Sequence, residues 1–155
     1  MNRGQILIAS DHAGFALKEK IKPYLEKQGA RIKDLGTRSP ERCDYPKFAY
    51  ALAKEVSCSP QSRRGILICK SGIGSSIAAN KLAGVRAALC YNLKAARLSR
   101  EHNDSNILVL GAAFVPFTLA KRIIKVWMQT GFQGGRHRRR LNQIKDIERQ
   151  VRGTK

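Results

Sequence analysis

Residues 66–81 read ILICKSGIGSSIAANK. The apolar run Ile66-Leu67-Ile68 leads into Cys69. A small, glycine-rich turn follows, Ser71-Gly72-Ile73-Gly74-Ser75-Ser76, and then a helix-forming run, Ile77-Ala78-Ala79-Asn80-Lys81. This order predicts a buried strand, a tight loop and a helix start, with a thiol at the junction. Glycine tolerates positive φ and lets an anion approach the backbone. The first N–H groups of a helix lack internal partners and carry partial positive charge. The segment therefore predicts an anion cradle with a sulfur on its rim.

The pattern repeats outward from this stretch. Short apolar runs occur at Ile6–Ala9, Ala30–Leu35, Ile66–Cys69, Val85–Leu89 and Ile107–Leu110. Segments with helical spacing separate them, at 13–28, 45–56, 76–82, 92–101 and 116–129. Pro23 is expected to kink or break the first of these, and Gly29, Gly84 and Gly131 to stop helices. Strand–helix alternation implies a parallel sheet covered on both faces. Such sheets bind ligands beyond the carboxyl ends of their strands. Asp11-His12, the Cys69 loop and Gly111 fall there. A last helix carries Leu141, Ile144, Ile147 and Val151; the stripe 144, 147 and 151 must pack on this subunit or on a partner.

The chain has 155 residues, which fits one domain over 1–155. No apolar run reaches the roughly 18 residues of a membrane helix. The start, MNRGQILIAS, is too short and too soon charged for an export signal, so a cytoplasmic protein is expected. Cys43, Cys58, Cys69 and Cys90 form no CxxC pair, and three histidines offer no metal spacing. Free thiols and no metal are expected, with Cys43, Cys58 and Cys90 as small buried hydrophobes. The net charge of +19 favours a phosphate-bearing ligand, a sugar phosphate or nucleic acid. The basic tail has no interleaved aromatics of the stacking kind, which argues against nucleic acid.

Two familiar loops are excluded by spacing. A GxGxxG fingerprint needs glycine where Ile77 stands, and the following strand ends in Leu89-Cys90 rather than an acid. A Walker A loop needs Gly-Lys-Ser/Thr, but Gly74 is followed by Ser75-Ser76. Neither NAD nor ATP is favoured, and no cofactor is expected.

Five motifs in one order carry a resemblance: ASDHAG at 9–14, DYP at 44–46, ILIC with SGIGSSIAANK, SREHNDSN at 99–106 and FQGGRHRRR at 132–140. From about residue 6 to 148 the chain resembles the ribose-5-phosphate isomerase B family, which includes galactose- and allose-6-phosphate isomerases. The resemblance implies a Rossmann-like α/β/α sandwich and a metal-free aldose–ketose isomerase working through an enediolate. It also implies a homodimer, in some members paired into tetramers, with active sites between subunits.

The resemblance also implies roles, each with a plainer alternative. Cys69 matches the base, against a core cysteine ending a strand. Ser71, Gly72, Ile73, Gly74 and Ser75 match the anion hole, against a turn that needs glycine only for packing. His102 matches the group that opens the sugar ring, and Asn103 a substrate-contacting amide; both arrive from the other subunit. Read alone, His102 is a polar residue at a helix end. Asp11 is expected on sugar hydroxyls, with an N-cap as the alternative. His12 is expected near the phosphate, and Tyr45 in the pocket or the core. Arg136 and Arg140 match phosphate-binding arginines, whose guanidinium forks suit phosphate oxygens. Two positions depart from the family. Lys70 replaces a usual glycine, which implies either backbone strain or a cation beside the thiol. Ala113 stands where an arginine often binds phosphate. Two other readings follow from these departures: a six-carbon sugar phosphate as substrate, or a basic binding protein that is not an enzyme.

Overall fold

The computed structural model describes residues 5–153; residues 1–4 and 154–155, which the single-domain reading includes, lie outside them. Five strands form one parallel sheet: β1 (Gln5–Ser10), β2 (Arg31–Asp34), β3 (Arg64–Cys69), β4 (Ala87–Leu89) and β5 (Ile107–Gly111). Their order across the sheet is β2-β1-β3-β5-β4. Six helices accompany it, of which the first five pack on its two faces: α1 (His12–Lys27), α2 (Tyr45–Cys58), α3 (Ile73–Ala79), α4 (Leu93–Glu101), α5 (Phe117–Gln129) and α6 (Arg136–Gly153).

The sequence explains the strand order. The central strands β1, β3 and β5 are buried on both faces and read as continuous apolar runs. The two edge strands are only half-buried, and β2 tolerates Arg31, Lys33 and Asp34. On one face Ile21 and Leu25 of α1 pack with Ala96 of α4 and Ile123, Ile124 and Trp127 of α5. On the other, Ala49, Leu52, Ala53 and Val56 of α2 pack with Ala79 of α3. The result is a three-layer α/β sandwich. No helix among the described residues is long and apolar enough to cross a membrane.

Several expectations need correction. The helix after the glycine loop starts at Ile73, not residue 76, and ends at Ala79. Ile73, Gly74 and Ser75 are thus its first turn rather than loop. α1 runs unbroken through Pro23, which is exposed, so the missing N–H faces solvent. Gly29 and Gly84 take positive φ, but Gly131 does not, and α5 ends on Thr130 in extended conformation. Lys70 is not at positive φ, so the strain alternative fails. Of the three cysteines expected in the core, Cys90 is buried, and burial pushes its thiol up to about 11. Cys43 is half-buried and Cys58 exposed. Of the α6 stripe, Ile144, Ile147 and Val151 are all exposed, whereas Leu141 is buried.

A buried lysine ties the carboxyl end of β2 to the rest. The Lys18 side chain is 0% exposed, and its Nζ reaches Asp34 at 2.5 Å, Thr37 O at 2.8 Å and Glu19 at 3.2 Å. Asp34 also accepts from Lys22 and from the Gly36 N–H. Burial pulls the Asp34 carboxyl up, but the bonds from Lys18, Gly36 and Lys22 outweigh it and hold it below 3.8. A depressed carboxyl stabilises the fold fully above its unfolded value, and that stability is lost as pH falls through the folded value. Asp34→Asn strands a buried cation and should cost roughly 3 kcal/mol at pH 7. In urea titrations at several pH values, the gap to wild type should narrow as pH drops below about 4.

Candidate active site

The strand order reverses between β1 and β3: β1 connects outward to β2, and β3 lies on its other side. The crevice at such a switch point is where open α/β sheets bind ligands. Ser10-Asp11 and Cys69 end the two strands that form it.

Cys69 is 4% exposed, and its Sγ accepts the Gly72 N–H at 3.1 Å. Gly72 holds φ at +83 as the N-cap of α3. The Ile73 N–H goes to Ser71 Oγ at 3.3 Å. The first backbone bond of the helix runs from the Ser76 N–H to Gly72 O. The Gly74 and Ser75 N–H groups therefore have no carbonyl to meet within the helix and remain open to a ligand. The loop is pinned from β4 and β5. Tyr91 Oη donates to Ser71 O at 2.7 Å. A Cβ on Gly111 would lie 2.4 Å from that same oxygen, so only glycine fits there. The Ala112 and Ala113 N–H groups donate to the carbonyls of Cys69 and Lys70 at 2.9 and 3.0 Å. Lys70 itself is exposed.

Three other expected residues join this edge. Asp11 is 6% exposed and caps α1, accepting the Gly14 N–H at 3.0 Å through Oδ1; no described residue donates to its second oxygen. His12 is held through Nδ1, 3.0 Å from Cys43 O and 3.2 Å from Cys43 N. Tyr45 lies against the loop: a Cβ on Gly74 would meet its hydroxyl at 2.7 Å.

The remaining four are not at this edge. α4 leaves the carboxyl end of β4 and runs back, so His102 and Asn103 sit at the amino edge of the sheet. Arg86, just before β4, donates to Asn103 O at 3.0 Å, and Asn106, just before β5, accepts the Gly65 N–H. The rise of β3, roughly 17 Å at ~3.3 Å per residue, separates this edge from Cys69. Arg136 and Arg140 travel with His102. The His137 ring stacks on His102 at 4.1 Å and 7°. Burial, then His102, Arg136 and Arg140, lower the His137 pKa. Arg136 and Arg140 are exposed one turn apart on α6. One chain thus carries its candidate residues in two separate groups, a thiol group at the carboxyl edge and an imidazole–guanidinium group at the amino edge. The sequence reading placed Gly111 at the carboxyl edge without a role and missed Tyr91 and the His102–His137 stack. Tyr91 directly after a strand, and glycine ending another, were the available signals.

The chain matches a family model described as Ribose/Galactose Isomerase over residues 6–144. It belongs to the ribose/galactose isomerase family. It is 44% identical over 144 residues to ribose-5-phosphate isomerase B of Escherichia coli, covering 93% of this chain and 96% of that one. Its structure resembles ribose-5-phosphate isomerase B of Clostridium thermocellum at TM-score 0.91 and 48% identity, over 95% and 99% of the two chains. It likewise resembles the Mycoplasma genitalium enzyme with bound ribulose-5-phosphate, at TM-score 0.92 and 39% identity, over 94% and 97%.

Within this family fold the loop geometry can be tested on stability alone. Gly29 and Gly72 both hold positive φ, but a Cβ on Gly29 meets nothing, whereas one on Gly72 lies 2.3 Å from Leu89 Cδ1. Gly29→Ala should cost about 1 kcal/mol, the conformational term alone. Gly72→Ala should cost about 1–3 kcal/mol more by urea denaturation, because the Leu89 side chain must move.

Proposed function

We propose that this protein interconverts D-ribose 5-phosphate and D-ribulose 5-phosphate as an aldose–ketose isomerase, acting as one domain in a homodimer with shared active sites. The observation that carries the reading is the Cys69 thiol, held on the Gly72 amide at the switch point. A thiolate there takes the C2 proton of the open-chain aldose and returns it to C1. The electron pair freed from the C2–H bond becomes the C1–C2 double bond of an enediolate, and the C1 carbonyl oxygen takes up the charge. The O2 hydroxyl proton then passes to O1, the O2 pair forms the C2 carbonyl and the double-bond pair takes the returned proton at C1. Ser71 and the open Gly74 and Ser75 N–H groups face that charge, as oxyanion donors do. Neutral substrate oxygens gain less from these donors than the enediolate, so the loop favours the transition state.

The two separate groups support the dimer. His102 cannot reach a sugar on its own chain's Cys69, but it can reach one on a partner's. In that arrangement His102 moves the proton that opens the furanose ring, with Asn103 on the sugar. Arg136 and Arg140 receive the phosphate, and His12 approaches it from the thiol side. Asp11 offers its free oxygen to sugar hydroxyls, and Tyr45 walls the pocket. The exposed Ile144, Ile147 and Val151 give α6 an apolar face for the partner. A cytoplasmic role in pentose phosphate metabolism fits free thiols and a phosphorylated substrate. The departures at Lys70 and Ala113 are joined by the 3.0 Å bond from the Ala113 N–H to the Lys70 carbonyl.

Two variants test the roles by a coupled assay of ribulose 5-phosphate formation. Cys69→Ala should lower kcat by roughly 10²–10⁴, the range of general base catalysis, with a normal circular dichroism spectrum; a rate near wild type removes the base. His102→Asn should slow turnover of cyclic ribose 5-phosphate by at least about 10²-fold. The reverse reaction, from ribulose 5-phosphate, which cannot close that ring, should fall far less; equal losses contradict ring opening.

A further inference from the structure

The amino edge of the sheet also holds charge that the isomerisation does not use. Arg64 opens β3, Arg86 precedes β4, and Arg100 lies in the last turn of α4. Their side chains are 24%, 12% and 7% exposed, and all face one carboxylate, Asp104, at 3.9, 3.0 and 2.7 Å. Asp104 is the one non-glycine at positive φ among the described residues, at +43. Such a backbone persists where its surroundings over-determine it.

The sharing is unequal. Arg86 also donates to the carbonyls of Asn103 and Asp104, at 3.0 and 2.9 Å. Arg100 donates to those of Thr130 and Ser105, at 3.3 and 2.6 Å. Arg64 has only the carbonyl of Arg63, at 3.4 Å, besides its long ion pair. Three guanidiniums share this carboxylate; Glu148 also offsets Arg86, whereas Asp104 is the one acid among the described residues that acts on Arg64. Burial and the repulsion of Arg100 lower the Arg64 pKa; Asp104 offsets part of this, and Arg86 adds to it. A desolvated cation with open donors is costly unless an anion meets it.

Arg64 borders a cavity of about 370 Å³. Gln5, Ile6, Gln61, Ser62, Arg100 and Met128 also line it, and no carboxylate among the described residues does. Its volume lies in the range of small-molecule sites. Beside the apolar Ile6 and Met128, its polar wall is donors and amides around a guanidinium whose planar fork suits phosphate oxygens. We propose that this cavity is a second anion site, which takes a phosphate group, free or as a phosphate monoester, against Arg64.

Calorimetric titration of inorganic phosphate into the full chain tests it. Two sites per chain are expected, one at Arg64 and one at Arg136 and Arg140. Arg64→Gln should weaken one site about 10- to 100-fold, the effect of one charged hydrogen-bonding partner, and leave the isomerase rate within about twofold. Arg140→Ala should weaken the other site and spare the first. If Arg64→Gln fails to fold, Arg64→Lys, which keeps the charge but loses the fork, should still weaken its site about 10-fold. Ribose 5-phosphate titrated into Arg140→Ala separates the sources. Binding tighter than phosphate assigns the site to a monoester, equal binding assigns it to phosphate itself, and both support it. A single phosphate site, or two sites unchanged by the Arg64 variants, overturns the proposal.

Discussion

A helix that joins two parallel strands must run back across the sheet. That constraint governs where every functional group of this protein lies. Loops that follow strands put Asp11, Tyr45 and the Cys69 cradle at the carboxyl edge, and the switch point between β1 and β3 opens a crevice for them. Segments that follow helices deliver His102 and Asn103 to the amino edge. The His102–His137 stack then anchors α6 there, with Arg136 and Arg140. The separation of the candidate residues onto two edges is thus a consequence of topology, not of side-chain placement, and it is why the proposed function needs a second copy.

Within the thiol group, most polar groups of the loop are already assigned. The Gly72 N–H is taken by sulfur, the Ile73 N–H by Ser71, and the Ser71 carbonyl by Tyr91. What remains without an intrahelical partner are the Gly74 and Ser75 N–H groups in the first turn of α3. Preorganised donors need no rearrangement when charge develops, which is the source of their catalytic value. Glycine is required here by contact as much as by φ. A Cβ on Gly111 would strike the Ser71 carbonyl, and one on Gly74 would strike the Tyr45 ring.

The layered fold was legible because the central strands are buried on both faces, which forces continuous apolar runs at 6–9, 66–69 and 107–110. Boundaries were less legible. Ser71–Ser75 is too polar and glycine-rich to announce a helix, yet Gly72 at positive φ starts one at Ile73. Pro23 reads as a breaker, but α1 places it on the solvent side and continues. The candidate residues were legible as motifs, and the resemblance put His102 and Asn103 on the other subunit. That Arg136 and Arg140 lie at the same edge as His102 was not legible, because spacing in sequence carries no direction across a sheet. The same holds for Arg64, Arg86 and Arg100. They are scattered over 37 positions and meet only through Asp104. Part of the +19 charge therefore has a structural address, at an edge far from the thiol.

Complementation between two inactive chains tests the shared site most directly. Cys69→Ala and His102→Asn proteins, each folded and slow, are mixed, unfolded together, refolded and assayed. If each site draws Cys69 from one chain and His102 from the other, half of the dimers are mixed, and each mixed dimer has one intact site. Recovery of roughly a quarter of wild-type activity is predicted, an estimate for random pairing of dimers. Activity no greater than the mean of the two parents, with mixed dimers demonstrated by mass spectrometry, would contradict the account.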